Sequence, residues 1–265
     1  MKQRFPTEFV FQVFSLIVAV ILVHGFYVSV VQPRAAADIR EEQVRLEEDP
    51  NYVTERSVWV IIKDFEQEAC FVLMFWAIAI MGYKGVMVWR ERALLDVELV
   101  PVAEGMRILP EDTREYSRQI QALPARVQEY LLPRALLTAL HRFESTRNIQ
   151  DVASAASDVA DEESDRLDSE LAMIRYIAWA IPSIGFIGTV RGIGSALAQA
   201  HKAVEGDIMG VTQNLGVAFN STFIALLISI FIMFLVHQLQ LFQERLVLES
   251  REYVDRHLVR HLQVR

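Results

Sequence analysis

Cysteine, clustered basic charge and nucleotide-binding loops are what this chain has least of. Its single cysteine, Cys70, rules out an internal disulfide and a thiolate zinc site, and leaves a small apolar side chain for packing. Lys and Arg number 26 against 34 Asp and Glu, a net charge of −8. No basic stripe runs along the chain, which argues against nucleic acid as a partner, because phosphate backbones are held by clustered cations. There is no Gly-x-x-x-x-Gly-Lys-Ser/Thr loop for ATP phosphates. No nucleophile, base and orienting group stand at a recognisable spacing, so the chain does not read as an enzyme. His257 and His261 lie one helical turn apart without a third ligand and read as a solvated pair, so no metal or other cofactor is expected.

Hydrophobic residues, by contrast, make up 52% of the chain beside 23% charged ones, and the two populations are segregated. Apolar runs long enough to cross a hydrocarbon core, which takes about 20 helical residues, alternate with polar stretches. The reading is an all-α polytopic membrane protein with four transmembrane helices, the third extended into the cytoplasm, and a helical cytoplasmic domain. Its boundaries are a first span within 1–32, an acidic periplasmic segment 33–68, a second span 69–89, a cytoplasmic helical block 90–170, a third span 171–200, a short periplasmic loop 201–213, a fourth span 214–240 and a cytoplasmic C-terminal helix 241–265. The Arg34-Ala35-Ala36-Ala37-Asp38 stretch has the look of a cleavage site. The apolar run before it is far longer than that of a signal peptide, so a retained helix is expected.

Orientation follows from basic flanks. Lys2 and Arg4 precede the first span, and Lys84, Arg90 and Arg92 close the second, placing both ends in the cytoplasm; Arg245, Arg251, Arg256 and Arg260 do the same for the C-terminal helix. In the cytoplasmic block, Pro101, Pro110, Pro124 and Pro133 punctuate short helices, and Leu136, Leu137, Leu140 and Phe143 form one apolar face. Asn148, with Asp151 three residues on, is expected to start a long helix running into the third span. The acidic run from Asp158 to Asp168 reads as a solvated helix face.

Four of the eleven glycines fall within Pro182–Gly194 of the third span. Gly188, Gly192, Ala196 and Ala200 recur every fourth residue, a row that lets helix backbones approach closely in lipid. The fourth span answers with Ala218, Thr222, Ala225 and Ser229 on one face and Phe, Ile and Leu on the other. Such a stripe suits a helix lining a tight or partly hydrated path, and equally one whose hydroxyls bond back to its own carbonyls.

The stretch Pro182-Ser183-Ile184-Gly185-Phe186-Ile187-Gly188-Thr189-Val190-Arg191-Gly192 resembles the Pro-x-x-Gly-x-x-Gly-Thr-Val-x-Gly signature of the MotA/TolQ/ExbB proton channel family. Ala218-Phe219-Asn220-Ser221-Thr222 resembles the Ala-x-x-x-Thr element of its last span. The resemblance implies an ion pathway at Thr189, Thr222, Ser221, Asn220 and Ser229, and a packing and pore motif of Pro182, Gly185, Gly188, Gly192, Ala218 and Ala225. It also implies a bacterial inner-membrane location and a homopentamer around two copies of a single-span partner similar to MotB, TolR or ExbD. Relatives of the ExbB and TolQ kind carry a glutamate where this chain has Val217.

Neither the third nor the fourth span contains Asp or Glu, so a proton carrier is expected from the partner's membrane aspartate. The transported ion is expected to be H⁺, with Na⁺ the other option. Arg191, deep in the third span, is expected either to snorkel or to form an intramembrane ion pair with an acid of the partner or of a neighbouring copy. Two functions follow. One is a subunit of a motor driven by the proton-motive force. The other is a membrane scaffold or passive channel whose small-residue rows serve only oligomer packing.

Overall fold

The structure, a computed structural model, describes residues 7–48, 57–102, 106–204, 206 and 208–264. Lys2, Arg4 and Asp49 lie outside them. In chain order the helices are α1 (Thr7–Phe26), α2 (Gln32–Glu48), α3 (Val58–Ile62), α4 (Phe65–Arg92), α5 (Thr113–Gln121), α6 (Ala125–Gln128), α7 (Leu131–Thr146), α8 (Ile149–Glu170), α9 (Ala172–Ala198), α10 (Ala200–Val204) and α11 (Met209–His257). Among the described residues there is no strand, only an isolated bridge between Ile108 and Leu262. Four helical stretches, Glu8–Leu46, Phe65–Asp96, Ile149–Ala198 and Met209–His261, are long and apolar enough to cross a membrane. The chain is an all-α polytopic membrane protein.

Two compact units divide the chain, one formed by residues 1–81 with 173–236, the other by residues 82–172 with 237–265. In the first, α1 runs into α2 through a π-helical turn, Tyr27–Val31. The Gln32 N–H closes it on the Tyr27 carbonyl, and Pro33, which has no N–H to donate, comes next. The polar stretch after the first apolar run stays helical as far as Glu48. Tyr27 and Val31 pack with Trp59, Ile62 and Phe71, and the Tyr27 hydroxyl donates to the Ile62 carbonyl at 2.8 Å. His24, which has no partner legible in the sequence, meets Glu68 at 2.7 Å.

The second unit is held by a larger apolar core. Leu136, Leu140 and Phe143 of α7 are fully buried with Ile108, Ile120, Val152 and Leu258. The Tyr253 hydroxyl sits at its edge, donating to the Val97 carbonyl at 3.0 Å and accepting from the Leu99 N–H at 2.9 Å. Asn148 caps α8, its side chain accepting from the Gln150 N–H at 2.9 Å. The acidic run on α8 is not uniformly solvated. Glu163 is 2% exposed, within 3.1 Å of Arg166 and 3.3 Å of Arg134, because it occupies the helix face that also buries Val152, Ala156, Ala160 and Leu167. Buried Lys84 bonds Glu170 at 2.9 Å in the same unit.

The candidate ion-pathway site

Helix α9 carries Pro182 in its interior. Proline cannot donate to the carbonyl four residues earlier, here Ala178, and in lipid an unanswered carbonyl is costly. The Ser229 hydroxyl of α11 donates to that carbonyl at 3.2 Å. On the other flank, the buried Cys70 thiol of α4 approaches the Ile181 carbonyl at 3.6 Å. Cys70 is thus a packed group that adds a weak bond beside the proline.

One turn further on, α9 meets α11 along the glycine row. A Cβ on Gly192 would lie 2.7 Å from the Ala218 nitrogen and 2.7 Å from the Asn214 carbonyl oxygen, so no side chain fits. At Gly188 a Cβ would lie 2.5 Å from the Ser221 Cβ and 3.1 Å from the Glu66 Cγ. Glycine there brings three helices together, α4, α9 and α11. Gly185 likewise faces the Ser221 carbonyl and Ala225.

Thr189 and Thr222 sit inside this contact, half-buried. The Thr189 hydroxyl reaches the Ala218 carbonyl at 3.0 Å and the Thr222 hydroxyl reaches the Gly185 carbonyl at 3.1 Å. Each threonine therefore addresses the carbonyl four residues before the other, and their oxygens are in direct contact. Two hydroxyls carry two protons. If both point to carbonyls, the touching oxygens face each other lone pair to lone pair, so one threonine donates to the other. The arrangement has two alternative proton placements, exchanged by rotating the hydroxyls. Ser221 is buried and donates to its own Ala218 carbonyl at 3.0 Å, Ala218 and Ala225 are buried in the contact, and Asn220 is half-buried on α11.

Arg191 does form an ion pair, and its partner is within the chain. Its Nε meets the Glu66 Oε1 at 2.6 Å and its Nη2 meets Oε2 at 2.8 Å, a two-pronged contact. Glu66 lies in the first turn of α4 and is 3% exposed. The expectation named snorkelling or an acid of a partner or a neighbouring copy; within the chain the bonded acid is Glu66. It also puts a carboxylate beside the Gly188–Ser221 contact although α9 and the apolar part of α11 contain none. Nearby Asp64, just before α4, has its carboxyl pushed above the usual range by burial, with Lys63 and Arg191 opposing the shift. Among the described residues no group of three His, Cys, Asp or Glu converges on a metal position.

Residues 127–252 match the model of the MotA/TolQ/ExbB proton channel family. Over this segment the chain is similar to that family. The segment contains Pro182, Thr189, Arg191, Thr222 and Ser229, while Glu66 and Cys70 lie outside it. No curated protein and no solved structure matches the chain.

Proposed function

We propose that the chain is the channel-forming subunit of an inner-membrane motor driven by the proton-motive force, with copies of it surrounding a single-span partner that carries a membrane aspartate. The observation that carries this reading is the reciprocal Thr189–Thr222 contact inside the family segment. A carboxyl group passing it finds hydroxyls able to donate to its ionised form and accept from its protonated form. The ring is a pentamer around two partner copies, and both termini are cytoplasmic, as the Arg90, Arg92, Arg245 and Arg251 flanks support. Each charge crossing 100 mV releases about 2.3 kcal/mol, so a few protons suffice to rearrange helix contacts.

A second reading has an observation of its own. The threonine hydroxyls are already bonded across the helix contact, as a packing scaffold requires. The intact complex separates the two. Its mass after mild detergent extraction is expected to fit five copies with two of a small aspartate-bearing protein. Thr189→Val and Thr222→Val are then expected to stop proton uptake with the complex assembled. A homo-oligomer with no such partner, or full flux in both variants, would leave the scaffold.

A further inference from the structure

We infer that Glu66 and Arg191 are a positioning pair that locks the rotation of α9 so that Thr189 meets Thr222; the functional part of this rests on the channel reading above. Thr189 and Arg191 are two residues apart, about 200° around the helix, so they lie on nearly opposite sides of α9. Fixing one side fixes the other. A two-pronged guanidinium–carboxylate contact is well suited to the task, because it constrains the plane of the arginine as well as its distance.

The acid has little freedom of its own. Glu66 is 3% exposed, and its Cγ sits 3.1 Å from where a Cβ on Gly188 would be. The start of α4 is held in turn by Gln67, whose side-chain amide donates to the Ile61 carbonyl at 3.0 Å. Lower on the same helix pair, Cys70 reaches Ile181, so α4 touches α9 below the charged contact as well. The matched family segment begins only at residue 127, after α4. The lock is thus a device by which the N-terminal part of this chain sets the geometry of the segment that carries the threonines.

The experiment uses the full chain in its native membrane with Cys70→Ala, and Thr189→Cys with Thr222→Cys as a reporter. The two threonine oxygens are in contact, so the cysteines that replace them are expected to form a disulfide on mild oxidation. Glu66→Gln and Arg191→Gln are each expected to lower the disulfide yield several-fold. In chains retaining both threonines, each is expected to cut proton uptake about tenfold, the scale at which small misplacements act, with the mass of the complex unchanged. The exchanged pair, Glu66→Arg with Arg191→Glu, is expected to restore both readouts. Unchanged yield in the single variants, or a lowered yield that the exchange does not restore, overturns the lock. If the yields behave as expected while the unsubstituted complex moves no protons, the lock stands and the channel reading falls.

Discussion

In the unit built from residues 82–172 and 237–265, helices are joined by large side chains. Leu136, Leu140 and Phe143 are each 0% exposed. In the unit built from residues 1–81 and 173–236, the α9–α11 contact is made by Gly185, Gly188, Gly192, Ala218 and Ala225, while Phe186, Val190, Phe219 and Phe223 remain exposed on the same helices. The inversion follows from the surrounding medium. Water expels Leu and Phe into a core, whereas lipid tails are as apolar as those side chains and give them no reason to turn inward. What remains in lipid is close backbone approach and hydrogen bonding between helices. The Thr189, Thr222 and Ser229 hydroxyls supply the latter.

The contrast breaks most sharply on truncation of large residues. Phe143→Ala is expected to destabilise its unit by about 3–5 kcal/mol, through lost apolar burial and the cavity left behind. Val190→Ala, on an exposed position of α9, is expected to leave stability nearly unchanged. Thermal unfolding of both variants in detergent tests the pair, and comparable losses would mean that α9 packs as a water-soluble helix does. Charge gives the next effect. Glu163→Ala leaves Arg134 and Arg166 facing a vacated buried position, with an expected cost of about 3 kcal/mol in the same assay.

The same rule explains what the sequence discloses. Four apolar runs and the Asn148 cap are local signals that appear in the structure as read, and of the small-residue row Gly188, Gly192 and Ala196 are buried on α9 while Ala200 lies exposed beyond its end. Glu163 was legible in principle. It continues the spacing of Val152, Ala156 and Ala160, but a run with charge at most positions masks the one that faces inward. The Glu66–Arg191 contact spans 125 residues and carries no local signal. From the sequence, the cost of an arginine within lipid left both snorkelling and an ion pair open and named no acid. Likewise, Pro182 announces a freed carbonyl without naming the side chain 51 positions from Ala178 that answers it.

Within the glycine row, one substitution made at two sites is expected to change sign. Gly192→Ala drives a Cβ against the Ala218 nitrogen and the Asn214 carbonyl, and is expected to cost about 1–3 kcal/mol by overpacking. At Gly194 a Cβ meets nothing within 4 Å. There alanine is expected to gain up to about 1 kcal/mol from its higher helix propensity. Melting midpoints that move in the same direction for both variants would show that contact with α11 does not govern this row.

The smallest expected effect is also the most specific. Ser229→Ala removes the hydroxyl that answers the Ala178 carbonyl, and a hydrogen bond between membrane helices contributes about 0.6 kcal/mol on average. Pro182→Ala supplies a backbone N–H to that carbonyl from within α9, so the serine becomes redundant. The two substitutions are therefore expected to be non-additive, with Ser229→Ala costing less in the Pro182→Ala chain than in the parent. Thermal unfolding of the parent, both single variants and the double variant measures this coupling directly. Equal costs in the two backgrounds would mean that Ser229 serves another acceptor and that the proline-freed carbonyl is tolerated unanswered. A reduced cost would show that the fourth span's hydroxyl stripe is matched to the third span's backbone at the one place where proline opens it.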